Sequence, residues 1–332
     1  MSIQKKEDHI QICLDPASQI GSAGWERYRF VHQAMPDVSF AEIDTSCEFL
    51  GKPCSIPLMI SGMTGGSETA AMINQHIALA CETARIPFGV GSMRIALEHP
   101  ETASSFQVRP YAPNVPILAN LGLVQLNYGF GLDECKRAVE LLEADALMFH
   151  LNPILEAISQ DGNTDFTGLM PKLEKIIRHL GVPVLVKEVG FGISAKVAQE
   201  LRDVGVRTID VAGWGGTNWA FVEGRRTGNS LGSVFSSWGI PTSDAVRDCS
   251  KISGLSVIAG GGMRTGVDMA KAMALGASLS SIAQPALAAA LQSPEAVLAV
   301  IDRYLGELKT TMFAVGAGTL KALQAASIEV RE

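Results

Sequence analysis

Eight short apolar runs recur along the 332-residue chain, and each closes on glycine, polar or charged residues. They are IPLMISGMTGG from Ile56, IPFGVGSMR from Ile86, VPILANLG from Val115, ALMFHLNP from Ala146, VPVLVKEVG from Val182, TIDVAGWGG from Thr208, LSVIAGGG from Leu255 and LSSIAQP from Leu279. Nearly all are followed by a helical pattern, which predicts strand then helix, eight times over. Continuous Val, Ile and Leu runs are typical of parallel strands buried on both faces.

Eight such units in about 250 residues predict an α/β protein with a (β/α)8 barrel. We expect one domain over residues 1–332, with an N-terminal arm at 1–52, the barrel at 53–293 and C-terminal helices at 294–332. Active sites of these barrels lie where the strands end at their carboxyl side. The chemistry is therefore expected in the polar tails of the eight runs.

Composition and charge exclude several classes of protein. The content of 47% hydrophobic and 18% charged residues suits one large core, and a net charge of −7 without a basic stripe argues against nucleic-acid binding. There is no N-terminal apolar segment of the export type and no run of 18 apolar residues, so neither export nor membrane insertion is predicted. Six cysteines without metal-site spacing fit reduced, structural thiols in a cytoplasm.

Three consecutive glycines, Gly260 to Gly262, end the seventh run, and a helical pattern begins shortly afterwards. Backbone amides at such a helix start can enclose a phosphate, and barrels commonly build phosphate sites from the loops after strands seven and eight. An ordinary tight turn is the alternative. This cluster predicts a ligand that carries phosphate.

Two segments stand apart from the eight units. The N-terminus begins a charged helix with QKKEDH, which includes Lys5, Lys6 and His9, and charge-rich termini are typically solvated arms. Residues 213–239 are rich in Gly, Ser and Asn and show no helical or strand period. We expect a long loop there, which is a lid, a binding loop or a disordered segment.

The motifs taken together resemble one enzyme family. They are MTGG (Met63–Gly66), GSMR (Gly91–Arg94), ANLG (Ala119–Gly122), HLNP (His150–Pro153), VKEVG (Val186–Gly190), GGTNW (Gly215–Trp219) and the pair GGG and AQP (Ala283–Pro285). All occur in the order found in type 2 isopentenyl diphosphate isomerases, and the resemblance covers nearly the whole chain. The opening KKEDH is similar to the family's Arg-Lys-x-x-His, with Lys5 in place of the arginine.

The resemblance implies an FMN-dependent barrel that interconverts isopentenyl and dimethylallyl diphosphate, using reduced flavin without net redox change. It also implies Mg2+ on the diphosphate, NADPH as reductant and a homotetramer or homo-octamer. The implied flavin contacts are Met63, Thr64, Gly65, Ser92, Asn120, Lys187 and Thr217, with Gly261, Gly262, Ala283 and Gln284 at its phosphate. Lys187 would neutralise the anionic reduced flavin, although pairing with Glu188 is an alternative role.

The implied diphosphate site draws on charged and polar residues from several motifs, namely Lys5, Lys6, His9, Ser92, Arg94, His150 and Asn152. An arginine offers a planar fork to phosphate oxygens, and a metal ion neutralises the remaining charge. Glu156 is the implied Mg2+ ligand, and Lys187, His150 and Asn152 are the catalytic candidates. A surface ion pair for Arg94 and a solvated helix position for Glu156 are the alternatives.

One position departs from the family pattern His-x-Asn-x-x-Gln-Glu, because HLNPILE places Leu155 where the family has glutamine. Three outcomes stay open: isomerisation with the flavin as the only acid and base, flavin chemistry on another prenyl diphosphate, or reduced activity. Gln160 is the nearest other glutamine in the sequence. An FMN 2-hydroxy-acid oxidase and a non-catalytic flavin-binding barrel are the remaining classes. The first requires a His and Arg pair near the flavin, and the tails after the sixth and seventh strands, TNW and GGGMR, lack that histidine.

Overall fold

The computed structural model describes residues 3–331, which form a barrel with helices around it. The strands are β1 Tyr28–Phe30, β2 Cys47–Phe49, β3 Lys52–Cys54, β4 Leu58–Ile60, β5 Phe88–Gly89, β6 Ile117–Gly122, β7 Ala146–His150, β8 Val184–Lys187, β9 Thr208–Asp210, β10 Ser256–Ala259, β11 Leu279–Ile282 and β12 Ile328–Val330. The helices are α1 Ile3–Leu14, α2 Glu68–Ala84, α3 Arg94–Glu98, α4 Leu132–Leu142, α5 Pro153–Ile158, α6 Leu169–His179, α7 Ala195–Asp203, α8 Trp219–Thr227, α9 Leu231–Val234, α10 Thr242–Cys249, α11 Gly266–Ala274, α12 Gln284–Ala290, α13 Pro294–Ala314 and α14 Leu320–Gln324.

Strands β4 to β11 close the predicted (β/α)8 barrel, and each of the eight apolar runs supplies one of them. All pairings in the barrel are parallel, and β11 closes on β4 through the partners Ser280 and Leu58. Every residue of β4, β6, β8 and β11 is buried, because helices cover the outside and side chains fill the inside. The predicted fold class is confirmed.

A two-stranded hairpin, β2 with β3, closes the end of the barrel at which the strands begin. Its turn places Leu50 at φ 51° and Gly51 at φ 74°, as a tight two-residue hairpin requires. Phe49 and Cys54 pack there with Met59 and other apolar side chains of the barrel interior. The opposite end, where the strands finish, is therefore the end that can admit a ligand.

The N-terminal segment is a docked helix, so the prediction of a solvated arm is wrong. Helix α1 buries Lys6, Ile10 and Cys13, and it packs against α8 and α12. The backbone oxygen of Cys13 also accepts a 3.5 Å hydrogen bond from the side chain of Gln284. The charges of this segment thus face the carboxyl end of the barrel.

The segment at residues 213–239 contains two helices, α8 and α9, where a loop without secondary structure was predicted. Asn218 starts α8 by accepting a 2.9 Å hydrogen bond from the N–H of Phe221. A glycine in the middle of this helix, Gly224, disrupts its sequence pattern, but a Cβ there would lie 2.6 Å from the Cα of Gly232. Gly224 thus permits the two helices to approach closely.

Outside the barrel, β12 (residues 328–330) pairs antiparallel with β1 (residues 28–30). The N–H of Arg331 extends this contact with a 2.7 Å hydrogen bond to the oxygen of Arg27. All six cysteines are free, and five of them are buried. Within residues 3–331, no helix is both long and apolar enough to cross a membrane.

Candidate active site

A cavity of about 240 Å³ lies at the carboxyl end of the barrel. Nearly all predicted site residues line it: Lys5, Lys6, His9, Met63, Thr64, Ser92, Arg94, Asn120, His150, Asn152, Glu156, Lys187, Thr217, Gly261, Gly262, Ala283 and Gln284. Gly65 does not line it, since its Cα faces Phe106, whose ring would be 2.1 Å from an added Cβ. Residues far apart in sequence thus meet because parallel strands all end at one side of the barrel.

The glycine turn after β10 forms a cradle that has no room for side chains. Gly261 and Gly262 have φ values of 93° and 67°, and an added Cβ would lie 2.2 Å from the oxygen of Gly213 and 2.3 Å from that of Gly215, respectively. Within the described residues, the N–H groups of Gly261, Gly262, Ala283 and Gln284 have no acceptor. Unsatisfied donors on two adjacent loops suit a phosphate group.

Helix α11, which follows the cradle, does not contribute its first amides to that site. Asp268 accepts hydrogen bonds of 3.1 and 3.0 Å from the N–H groups of Arg264 and Thr265. Glu307 accepts another, of 2.6 Å, from Gly266. The expected phosphate-binding role of the helix start is therefore wrong for α11, because Asp268 and Glu307 already accept from these donors.

Four buried polar atoms around the cavity have no hydrogen-bond partner in the described part of the chain. They are the hydroxyls of Ser61 and Thr64 and the carbonyl oxygens of the Gln125 and Asn152 side chains. A buried polar group without a partner costs about 1 to 3 kcal/mol. Their concentration in one cavity indicates that a polar ligand completes it, and the site can therefore accommodate a polar cofactor.

Lys187 ends β8 and is buried inside the cavity, where its ammonium group donates a 2.7 Å hydrogen bond to the backbone oxygen of Glu188. The Glu188 carboxylate instead accepts from the N–H groups of Val189, Gly190 and Phe191. Burial lowers the pKa of Lys187, while the nearby carboxyls of Asp210 and Glu188 oppose that shift. The ammonium group is thus not neutralised by a direct ion pair with Glu188.

Asp210, at the end of β9, is a site residue that the sequence reasoning missed. It is fully buried and accepts 2.7 Å and 3.0 Å hydrogen bonds from the Ser281 hydroxyl and the Ala212 N–H. Burial raises its pKa, against the effects of Lys187 and of these donors. The sequence could have indicated Asp210, because it is a carboxyl at the end of a buried strand. Its hydrogen bonds to Ser281 and Ala212 connect β11 with the segment after β9, on the two sides of the cradle.

His150 ends β7, and its Nδ1 lies 2.8 Å from the side-chain oxygen of Asn120. Burial, with the positive charges of Lys187 and Lys6, lowers the pKa of His150 to about 3. The imidazole is therefore neutral at neutral pH, with Nδ1–H donating to Asn120 and Nε2 left as an acceptor. To donate a hydrogen bond to a phosphate oxygen, Nε2 of His150 must first gain a proton. The negative charge of the phosphate would favour that protonation.

This shift predicts how His150 affects stability. Below pH 6.5 the unfolded chain gains a proton at His150 that the folded protein does not bind until the pH falls to about 3, so stability is lost through that window. Between about pH 7.5 and about pH 5.5 the loss is about 1 kcal/mol. We expect His150→Gln to remove that part of the pH dependence, measured by chemical denaturation of both proteins. Identical pH dependence of unfolding in the two proteins would contradict a neutral His150.

Helix α1 is held over the cavity by Glu223 of α8, a second residue that the sequence reasoning missed. The buried Glu223 carboxylate accepts from His9 at 3.0 Å, Ser159 at 2.7 Å and Arg226 at 2.7 Å. Lys5 lies 3.6 Å from it. Burial acts against ionisation, but these donors outweigh it and hold the pKa of Glu223 well below its usual range.

Lys6 contributes a cation without a carboxylate partner among residues 3–331. It is 7% exposed, and burial together with the neighbouring Lys5 lowers its pKa to about 8. Arg94, in contrast, pairs with Glu98 at 2.6 Å and donates to the side chain of Asn163 at 2.9 Å. The expected diphosphate ligands therefore include one unneutralised cation, Lys6, and one arginine that also makes an ion pair.

Glu156 and Leu155 lie side by side on α5 and both line the cavity. The Glu156 carboxylate accepts from the Asn152 side chain at 2.8 Å and from the Asn163 N–H at 2.6 Å. The described residues contain no group of three His, Cys, Asp or Glu side chains arranged for a metal. Gln160 is exposed and lies outside the cavity lining, so it does not replace the amide missing at Leu155.

The fold and this cavity define a (β/α)8 barrel with a cradle of unpaired backbone amides. The family described as FMN-dependent dehydrogenase matches residues 17–111 and 149–330. A Nostoc isopentenyl-diphosphate delta-isomerase is 45% identical over 96% of this chain and 93% of its own. The isopentenyl-diphosphate delta-isomerase of Synechococcus is 46% identical over 97% of this chain and 94% of its own. That of Rickettsia akari is 43% identical over 99% of this chain and 98% of its own. The chain belongs to the type 2 isopentenyl-diphosphate delta-isomerase family, which confirms the resemblance seen in its motifs.

Solved structures add support for the fold alone. Mandelate oxidase bound to (S)-mandelic acid superposes with a TM-score of 0.69 at 17% identity, covering 99% of this chain and 97% of the other. A mandelate oxidase with an FMN monooxide adduct superposes with a TM-score of 0.67 at 17% sequence identity. The superposition covers 98% of this chain and 92% of the other. The histidines that line the present cavity, His9 and His150, lie on α1 and β7. Neither lies on the loops after β9 and β10, where the 2-hydroxy-acid oxidase alternative placed its histidine.

Proposed function

We propose that this protein interconverts isopentenyl and dimethylallyl diphosphate with bound FMN. One observation carries the proposal: a single cavity joins the cradle of free amides after β10 and β11 to a second set of cationic groups on α1 and α3. The cradle suits the phosphate of a flavin, and the second set suits the diphosphate of a substrate. The relatives that are 45% and 46% identical to this chain are named isopentenyl-diphosphate delta-isomerases, which supports this reaction.

The residues present fit FMN. Gly261, Gly262, Ala283 and Gln284 would hold its phosphate, and the partnerless hydroxyl of Thr64 would find a polar group there. Met63, Ser92, Asn120, Lys187 and Thr217 are the proposed ring and ribityl contacts, and Gly65 supports this loop by packing on Phe106. When bound and reduced by NADPH, FMN supplies the acid–base group that acts on the prenyl double bond.

The protein's own groups have separable tasks in this proposal. Lys6, Arg94 and His150 bind the diphosphate, with Lys5, His9 and Ser92 at the same end of the cavity. Lys187 stabilises the negative charge of a reduced flavin from the end of β8. Glu156 and Asn152 would hold a Mg2+ ion, which would offset the diphosphate charge. Leu155 presents an apolar wall to the prenyl chain, and it is the observation that favours the second candidate, the same chemistry on another prenyl diphosphate.

The direct test is turnover of isopentenyl diphosphate by the FMN-loaded protein with NADPH and Mg2+, followed by NMR of the products. We expect isomerisation with reduced FMN and none with oxidised FMN. No conversion under reducing conditions would reject the isomerase, and conversion of longer prenyl diphosphates alone would favour the second candidate. We also propose a cytoplasmic homotetramer or homo-octamer, whose mass light scattering would measure.

Leu155 provides a sharper prediction. We expect Leu155→Gln to lower turnover of isopentenyl diphosphate about tenfold, since burying an amide without a partner costs about 1 to 3 kcal/mol. Leu155→Met, which nearly conserves volume, is the matched control and should retain turnover. Steady-state rates with reduced FMN measure both. A rise in activity of the glutamine variant would instead identify a missing proton relay.

A further inference from the structure

The hairpin of β2 and β3, at the end of the barrel where the strands begin, carries two cysteines that the proposed function does not use. Cys47 on β2 and Cys54 on β3 lie directly opposite each other in the register of the two strands, and both are free thiols. Opposite residues of an antiparallel pair have Cα atoms about 4.5 to 5.5 Å apart, and disulfides bridge Cα distances of about 4.4 to 6.8 Å. The backbone therefore already holds the two cysteines at a distance that a disulfide can span.

The two side chains also lie on the same face of the hairpin. Cys54 is 2% exposed and packs with Met59 in the barrel interior, and the half-buried Cys47 packs against the same apolar cluster. Cross-strand neighbours on one face are close enough to interact directly. A hydrogen bond between the two thiols lowers the pKa of Cys54 and raises the pKa of Cys47. The sulfur atoms thus face each other, and the thiolate is favoured at Cys54.

Contacts on both sides of the pair fix the register of the hairpin without using the cysteines. On the side of the turn, the Lys52 ammonium group lies 2.6 Å from the Asp145 carboxylate and donates a 3.3 Å hydrogen bond to the backbone oxygen of Val115. On the other side, the Thr45 hydroxyl donates a 2.9 Å hydrogen bond to the backbone oxygen of Ser55. Two thiols held in this way react readily with each other, because their positions are already set before the reaction.

The other four cysteines have a different environment. They lie on helices α1, α2, α4 and α10, and all four are buried: Cys13, Cys81, Cys135 and Cys249. Burial raises the pKa of each of these thiols. Buried thiols in apolar surroundings are inert, because the thiolate is the reactive form. The hairpin is therefore the part of the chain in which thiol oxidation is expected.

We propose that Cys47 and Cys54 are a redox-active dithiol that hydrogen peroxide closes to a cross-strand disulfide. The deprotonated Cys54 sulfur attacks one oxygen of the peroxide, the O–O bond breaks, and the released hydroxide takes up a proton to leave as water. The Cys47 sulfur then attacks the resulting sulfenic acid, the S–O bond breaks, and a second water leaves. The thiols are oxidised by two electrons, and the peroxide is reduced to water. This modification site is remote from the cavity and independent of the proposed function.

Mass spectrometry of the wild-type protein tests the site. Hydrogen peroxide is added to the FMN-loaded protein with its flavin oxidised, the remaining thiols are alkylated, and the peptides are analysed. We expect the fragment that contains Cys47 and Cys54 to lose the mass of two hydrogens at least about tenfold faster than the four helix cysteines are oxidised, because thiolate character governs the rate. Dithiothreitol should restore both thiols.

Two matched variants assign the roles of the two sulfurs. In Cys47→Ser, dimedone should trap a sulfenic acid at Cys54, because the thiol that resolves it has been removed. In Cys54→Ser, trapping at Cys47 should be at least about tenfold slower, because the thiolate is favoured at the other position.

The wild-type measurement decides the matter even if a variant does not fold. Oxidation of the hairpin pair no faster than that of the helix cysteines would overturn the inference. Sulfinic acids at Cys47 or Cys54 without a cross-link would do the same, because they would show that the two sulfurs do not meet. Protein that forms the disulfide but converts no prenyl diphosphate would reject the proposed function and leave this site in place.

Discussion

Gly261→Val should abolish FMN binding, with an affinity loss of at least about a hundredfold, because several kcal/mol are at stake when a binding cradle is filled. An added Cβ would lie 2.2 Å from the backbone oxygen of Gly213, and valine disfavours the φ of 93°. Backbone atoms cannot move aside as a flexible side chain can. The measurement is flavin fluorescence quenching on titration of the purified protein with FMN.

A matched control makes that result specific to the cradle. Gly306, within α13, has no atom within 4 Å of an added Cβ and no positive φ. Gly306→Val should therefore retain the flavin and the fold. Normal FMN affinity in the Gly261 variant would remove the cradle from the cofactor site. Loss of FMN in both variants would point to general unfolding, which circular dichroism would detect.

Glu223→Ala should cost about 3 to 5 kcal/mol of stability, because it leaves several half-buried basic groups without the buried carboxylate that they share. His9 and Arg226 both donate to Glu223, and His9 belongs to the helix that covers the cavity. Helix α1 should then detach more easily and withdraw Lys6 from the site. We expect weaker binding of a prenyl diphosphate together with a lower free energy of unfolding, measured by calorimetry and denaturation.

Asp15 supplies the comparison, since it also joins the N-terminal region to α8 through an ion pair with Arg225 of 2.5 Å. That pair is exposed, so Asp15→Ala should lower the stability far less than Glu223→Ala does. A Glu223 variant as stable as the Asp15 variant would show that α1 is held mainly by its apolar contacts, such as Ile10 and Cys13.

The barrel and most of its site could be predicted because they depend on local signals. Continuous apolar runs specify buried parallel strands, and such strands end at the same side, so the polar tails had to meet. Gly261 was recognisable for the same reason, since a run of glycines marks a turn without room for side chains. The family motifs then supplied roles that spacing alone could not assign.

The features that the sequence alone did not show depend on contacts between distant segments. Lys6 is charged and lies near the chain start, so nothing local shows that it becomes buried. Its helix docks partly because Glu223, more than two hundred residues later, accepts from His9. Gly224 interrupts its helix pattern, yet Gly232 requires a glycine there. Asp268 satisfies amides that the sequence had left available for phosphate.

The pairing of the first barrel strand with the last has a consequence during synthesis. Strand β4 needs both β5 and β11, and β1 needs β12, which ends at Val330. At ribosomal rates of about 5 to 20 residues per second, β4 waits roughly 10 to 45 s before β11 is made. A nascent chain thus exposes an unpaired, wholly apolar strand edge, which is the kind of surface that aggregates. Ribosome-bound chaperones that shield residues 56–62 are the expected aid to its folding, and the cofactor site is complete only after Gln284 has been made.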